Sequence, residues 1–134
     1  MRCFYSSDLD LDLPANHPFP KDKFSASRDM LLQNGILRPE EIIDVKQTDL
    51  HVLKRVHEGA YLSKIYHGAL DRKEQIALGL PVNARLFARC ATEAEATRQT
   101  CHAALAEGVA VCLAGGTHHA FKGRGEAFCV FNDV

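Results

Sequence analysis

The five residues Val109-Ala110-Val111-Cys112-Leu113 form an unbroken apolar run between Gly108 and Gly115. A strand with one wet face alternates apolar and polar residues. A run with no polar face suits a strand buried on both sides, as in a parallel sheet covered by helices. The rest of the chain supplies partners for such a strand. Arg2–Ser6 reads as a first strand and Asp8–Pro20 as a loop broken by Pro14, Pro18 and Pro20. Lys21–Asn34 reads as a helix with Phe24, Leu31 and Leu32 on or near one face, Pro20 at its first turn and Gly35 just past its end. Glu40–Val45 is the second predicted strand, Asp49–Val56 and Glu58–Leu70 are predicted helices, and Asp71–Leu80 is a predicted loop.

Pro81–Glu107 has the clearest helical period: Val82, Leu86, Cys90, Ala94, Thr97, Cys101 and Leu105 recur at steps of three and four. Thr92 and Glu95 stand in a capping-box relation, which predicts two helices separated near Ala91. The order strand, helix, strand, helices, strand predicts an α/β fold. In open sheets of that class, ligands bind beyond the carboxyl ends of the strands.

The segment at that end is Gly115-Gly116-Thr117-His118-His119-Ala120. Imidazole is the side chain whose ordinary pKa lies nearest neutrality. Adjacent residues diverge in regular structure, yet in an irregular loop after two glycines both rings can converge on one site. Acid–base work, metal ligation and activation of a nucleophile are the chemical options, beside a plain polar loop. Adjacent histidines seldom share one metal, and no other His/Asp/Glu cluster has ligand spacing. His51, His57, His67 and His102 read as surface or capping residues. Lys122-Gly123-Arg124-Gly125 matches neither a Walker loop nor a dinucleotide fingerprint.

Composition narrows the classes. At 46% hydrophobic and 25% charged, 134 residues make one ordinary globular domain. A net charge of −1 gives no basic stripe for nucleic acid. No apolar run approaches a membrane span, and the acidic stretch Asp8, Asp10, Asp12 is unlike a secretory signal. The cysteines, five in number at positions 3, 90, 101, 112 and 129, form no CxxC pair. Reduced, mostly buried thiols in the cytoplasm are the expectation.

Val109–Val134 resembles the histone deacetylase family, including its bacterial and acetylpolyamine-type members. The residues that carry the resemblance are Gly115-Gly116-Thr117-His118-His119-Ala120, then Gly125-Glu126-Ala127-Phe128-Cys129, then Asn132-Asp133. His17-Pro18-Phe19-Pro20 with the helix after it, and Val56-His57-Glu58 with Tyr61, are similar to the family's earlier segments. The resemblance implies a three-layer α/β/α domain with a mainly parallel sheet of the arginase/deacetylase kind, incomplete in this chain. It implies a zinc-dependent hydrolase that converts acetyl-lysine or acetylated amines to acetate and free amine. His119 would be the main base and then acid, His118 its electrostatic partner held by a carboxylate, and Ala127 and Phe128 would line the channel for the acyl-amine stem.

Many relatives have glycine where this chain has Ala127. The family's metal ligands, an Asp and a His two residues apart and a later Asp, are expected downstream of Val134. So is the Tyr or its substitute at the oxyanion. Residues 1–134 therefore read as the N-terminal part of one deacetylase-like domain, inactive alone, with an exposed sheet edge that promotes homo-oligomers. The alternative is a non-catalytic fragment acting as a binding or oligomerisation module. A ureohydrolase of the arginase type fits the Gly-Glu-Ala-Phe-Cys sequence poorly. The expected partners are an acetylated protein or a small acetylated amine, with no nucleic acid and no membrane.

Overall fold

The computed structural model describes residues 1–134. Its sheet has β1 (Arg2–Tyr5) in the middle, β2 (Ile42–Asp44) on one side and β3 (Ala110–Cys112) on the other, all parallel. Cys3 sits opposite Ile42 and Val111, which sets the register. Parallel neighbours need long crossovers. Here α1 (Lys23–Gln33) connects β1 to β2. The helices α2 (Leu50–Leu53), α3 (Gly59–His67), α4 (Arg72–Leu78) and α5 (Ala84–Glu107) lie between β2 and β3.

Successive strand residues point to opposite faces. Phe4 packs with Val45, Ala96 and Ala103 on the α5 side, and Tyr5 packs with Leu9 and Phe24 on the α1 side. The sheet is thus covered on both faces, which is the three-layer order. A larger core lies beside the sheet, where Leu62 and Ile65 of α3 and Leu86 and Cys90 of α5 enclose Val130 and Phe131. Burying each large apolar side chain there contributes about 1.5–3 kcal/mol.

Four expectations change. Asp71–Leu80 is not a loop, because Arg72–Leu78 is helical. The Asp71 carboxylate accepts the Glu74 N–H at 2.8 Å and the Glu74 carboxylate accepts the Asp71 N–H at 2.8 Å, a capping box that starts the helix. Gly79, at φ +73°, ends it. Conversely, α5 does not divide near Ala91. The Thr92 hydroxyl donates back to the Ala88 carbonyl at 3.0 Å, and Glu95 pairs with Arg98, so neither residue caps a helix start. The apolar period also runs out along α5, where Cys101 and Leu105 are exposed. Third, β3 is only partly buried along its length, and Val109 just ahead of it is exposed. Last, Pro20 lies ahead of the Asp22 cap instead of inside the first turn of α1.

Past β3, the chain forms a short antiparallel hairpin, β4 (Ala120–Phe121) with β5 (Arg124–Gly125). No helix is long and apolar enough to cross a membrane.

Candidate active site

The loop leaving β3 is shaped by two left-handed glycines, Gly115 at φ +92° and Gly116 at φ +79°. A Cβ at Gly115 would run into the Asp133 carboxylate and the Thr97 hydroxyl, so this close approach requires glycine. Asp133 ties the loop down. Its Oδ1 accepts the Thr117 N–H at 2.7 Å, and its Oδ2 accepts the Gly116 N–H at 3.1 Å and the Thr97 hydroxyl at 2.5 Å. From the other side, Glu93 of α5 accepts the Gly115 N–H at 3.3 Å.

This anchoring brings the two histidines together. The His118 and His119 rings lie with centroids 4.1 Å apart and planes tilted by 45°, both exposed. The His118 ring is held by a backbone carbonyl and not by a carboxylate: Nδ1 is 2.8 Å from the Gly116 carbonyl oxygen. A carbonyl only accepts, so Nδ1 carries the hydrogen and Nε2 is left free.

Ala127 and Phe128 occupy left-handed backbone, at φ +49° and +68°. Non-glycine residues take that conformation at a cost of about 1–2 kcal/mol each. The turn is held by α4, whose Ala77 and Leu78 carbonyls accept the Ala127 and Phe128 N–H groups at 2.9 and 2.8 Å. Helix α4, in a segment whose polar sequence predicts a loop, is thus what aims Phe128. The Phe128 ring meets His17 and Phe19 edge-on, at centroid distances of 5.9 and 5.7 Å. His17 in turn bridges the Gly79 carbonyl at 3.0 Å and the Phe19 N–H at 3.1 Å.

A cleft of about 290 Å³ opens beside this turn, lined by Phe19, Lys23, Glu93, Thr117, Phe128 and Cys129 among others. Burial pushes the Cys129 thiol above its ordinary range. Ala127 and Phe128 border the cleft, whereas His118 and His119 do not; Gly116 and Thr117 connect the two regions. Replacing Ala127 with glycine removes the left-handed penalty and is expected to stabilise the fold by about 1 kcal/mol, read as a higher denaturation midpoint.

Several supporting residues escaped the sequence reading. Arg89, Glu93 and Thr97 recur every four positions on α5 and face the loops. Arg89 and Glu93 are buried and paired at 2.7 Å, and Arg89 Nε also donates to the Leu9 carbonyl at 3.0 Å. Desolvation raises the Glu93 carboxyl, with Arg89 opposing it. Charged residues at four-residue spacing beside the apolar stripe of Leu86 and Cys90 were the available signal.

His57 is a correction, because its ring is buried and not on the surface. Burial pushes its pKa below 6.5, against backbone carbonyls that raise it. The unfolded chain then takes up this proton first. Stability from neutral His57 is present above pH 6.5 and is lost as pH falls through its lower folded value. The expected result is a declining denaturation midpoint below about pH 6.5 that is reduced in His57→Phe.

The Histone deacetylase domain model matches residues 17–134. The chain belongs to the histone deacetylase family. It is 38% identical over 130 residues to an uncharacterized protein of Picosynechococcus, covering 97% of this chain and 43% of that protein. It is 26% identical over 136 residues to acetoin utilization protein AcuC of Staphylococcus aureus, covering 88% of this chain and 33% of that protein. Among solved structures, an HDAC homologue from Aquifex aeolicus aligns with a TM-score of 0.71 at 19% identity, covering 98% of this chain and 38% of that one. The HDA15 HD domain aligns with a TM-score of 0.74 at 15% identity, covering 98% and 40%. The fold is therefore that of the deacetylases, and the chain spans between a third and 43% of the curated relatives it matches.

Proposed function

We propose that these 134 residues form the N-terminal portion of a deacetylase that hydrolyses acetyl amides, either acetyl-lysine or acetylated small amines. The observation that carries the reading is the paired His118 and His119 rings on an anchored loop just past β3. His119 takes a proton from the attacking water and returns it to the leaving amine. His118, with Nδ1 committed to the Gly116 carbonyl, presents Nε2 beside it and shapes the local charge. Phe128 offers an aromatic wall to the aliphatic stem of the substrate, where each buried methylene gains about 0.8 kcal/mol.

Zinc, which the resemblance implies, finds no ligand set in this chain: no group of three or more His, Cys, Asp or Glu side chains gathers to hold a metal ion. The work assigned to these residues is proton transfer and stem binding. A metal held by other donors would supply water activation.

The test is acetate release from an acetyl-lysine peptide and from an acetylated polyamine, measured for a longer protein carrying this segment and for the 134-residue chain. The longer protein is expected to turn over at least one substrate and the short chain neither. Robust acetate release by the short chain alone would sink the division of labour, and no release by the longer protein would sink the deacetylase reading.

A further inference from the structure

His57 sits between α2 and α3, with its ring packed against Tyr61 and Phe131 at centroid distances of 5.6 and 5.4 Å. Nothing in the proton-transfer chemistry uses it. Its ring nitrogens nevertheless both reach the backbone around the histidine loop. Nδ1 lies 3.0 Å from the Phe121 carbonyl oxygen, and Nε2 lies 3.0 Å from the Asn132 backbone nitrogen. The carbonyl can only accept and the amide can only donate. A single species satisfies both contacts, the neutral ring with hydrogen on Nδ1. The other neutral tautomer fails at both nitrogens, and the protonated ring sets N–H against N–H at Asn132.

The two contact points frame the loop. Phe121 follows His119 by two residues, and the Asn132 side-chain amide donates to the Ala120 carbonyl at 2.9 Å. Asp133, the next residue, holds Gly116 and Thr117 at the loop's start. The His118–His119 segment therefore hangs between two fixed points that meet at Asn132-Asp133, and His57 sets where Asn132 and Phe121 stand relative to each other.

We propose that His57 is a positioning residue for the His118–His119 pair, acting through its Nδ1–H tautomer on the Phe121 carbonyl and the Asn132 amide. It touches neither histidine and moves no substrate proton. The role in catalysis rests on the deacetylase reading; the role in placing the rings does not.

The test is imidazole nitrogen–proton NMR of the intact chain, labelled at histidine, for the wild type, His57→Phe and Tyr61→Phe. Tyr61→Phe removes another buried hydrogen bond from the same core, the 2.8 Å donation to the Val130 carbonyl, and controls for simple destabilisation. The expected result is a wild-type His57 in the Nδ1–H form, His118 and His119 signals displaced in His57→Phe, and the same signals unmoved in Tyr61→Phe. A wild-type His57 in the Nε2–H form overturns the proposal even if His57→Phe does not fold. So do His118 and His119 signals identical in His57→Phe and wild type.

In a longer, active protein, His57→Phe is expected to lower kcat about 100-fold with KM within about twofold, because a small misplacement of reacting groups costs that much. An unchanged kcat there overturns the catalytic role. A wild type that releases no acetate overturns the deacetylase reading, and the ring signals still decide what His57 does.

Discussion

His119→Ala is expected to lower turnover of an acetyl amide by about two to four orders of magnitude, the usual contribution of a positioned proton-transfer group. The substitution deletes the exposed ring and leaves its anchoring intact, because the loop is held by Asp133 on Gly116 and Thr117 and by Glu93 on Gly115. The loss should therefore appear in kcat, with KM nearly unchanged and with no fall in the denaturation midpoint. His118→Ala removes a ring that is tied to its own loop by the Gly116 carbonyl, so it should also lower activity while loosening the loop. Acetate release measured against substrate concentration separates the two. A His119→Ala protein as fast as the wild type removes His119 from the mechanism.

Arg89→Ala is expected to destabilise the fold by about 3–5 kcal/mol, because it strands a buried carboxylate. Both partners are about 95% buried, with side-chain exposures of 4% and 5%, so solvent screening offers little relief. The guanidinium also satisfies the Leu9 carbonyl at 3.0 Å, and its loss leaves that acceptor unpaired. Urea unfolding monitored by circular dichroism reads the effect. The double substitution Arg89→Met with Glu93→Leu removes both charges and should recover most of the stability. Recovery should be incomplete, since the Gly115 N–H and the Leu9 carbonyl each lose a partner. If Arg89→Ala unfolds within about 0.5 kcal/mol of the wild type, the ion pair is not what seats α5 against the loops.

The pattern of the chain was enough to place β1, β2 and β3 and to order them with helices between, since short apolar runs and a 3.6-residue period are local signals. It also placed His118 and His119 past the end of a strand. Other features depart from the local pattern. Asp71–Leu80 is polar and ends in glycine, which favours a loop, yet the reciprocal Asp71–Glu74 bonds start a helix there. Thr92 and Glu95 have capping-box spacing, but a residue caps only where the backbone already departs from helix, and α5 runs straight past them. Histidine spacing carries no sign of burial, so His57 read as a surface residue.

Three things were determined by sequence alone: an α/β chain, a glycine-hinged histidine pair after a buried-type strand, and the family those residues resemble. Only the tertiary structure decided that the two rings meet at 4.1 Å, that α4 aims Phe128, and that Asp133, Glu93 and His57 brace the loop. The physical reason is range. Helix periods, apolar runs and glycine hinges act over a few residues and leave a pattern along the chain. The bracing contacts join residues from 16 to 75 positions apart, and geometry at that separation exists only once the chain has folded.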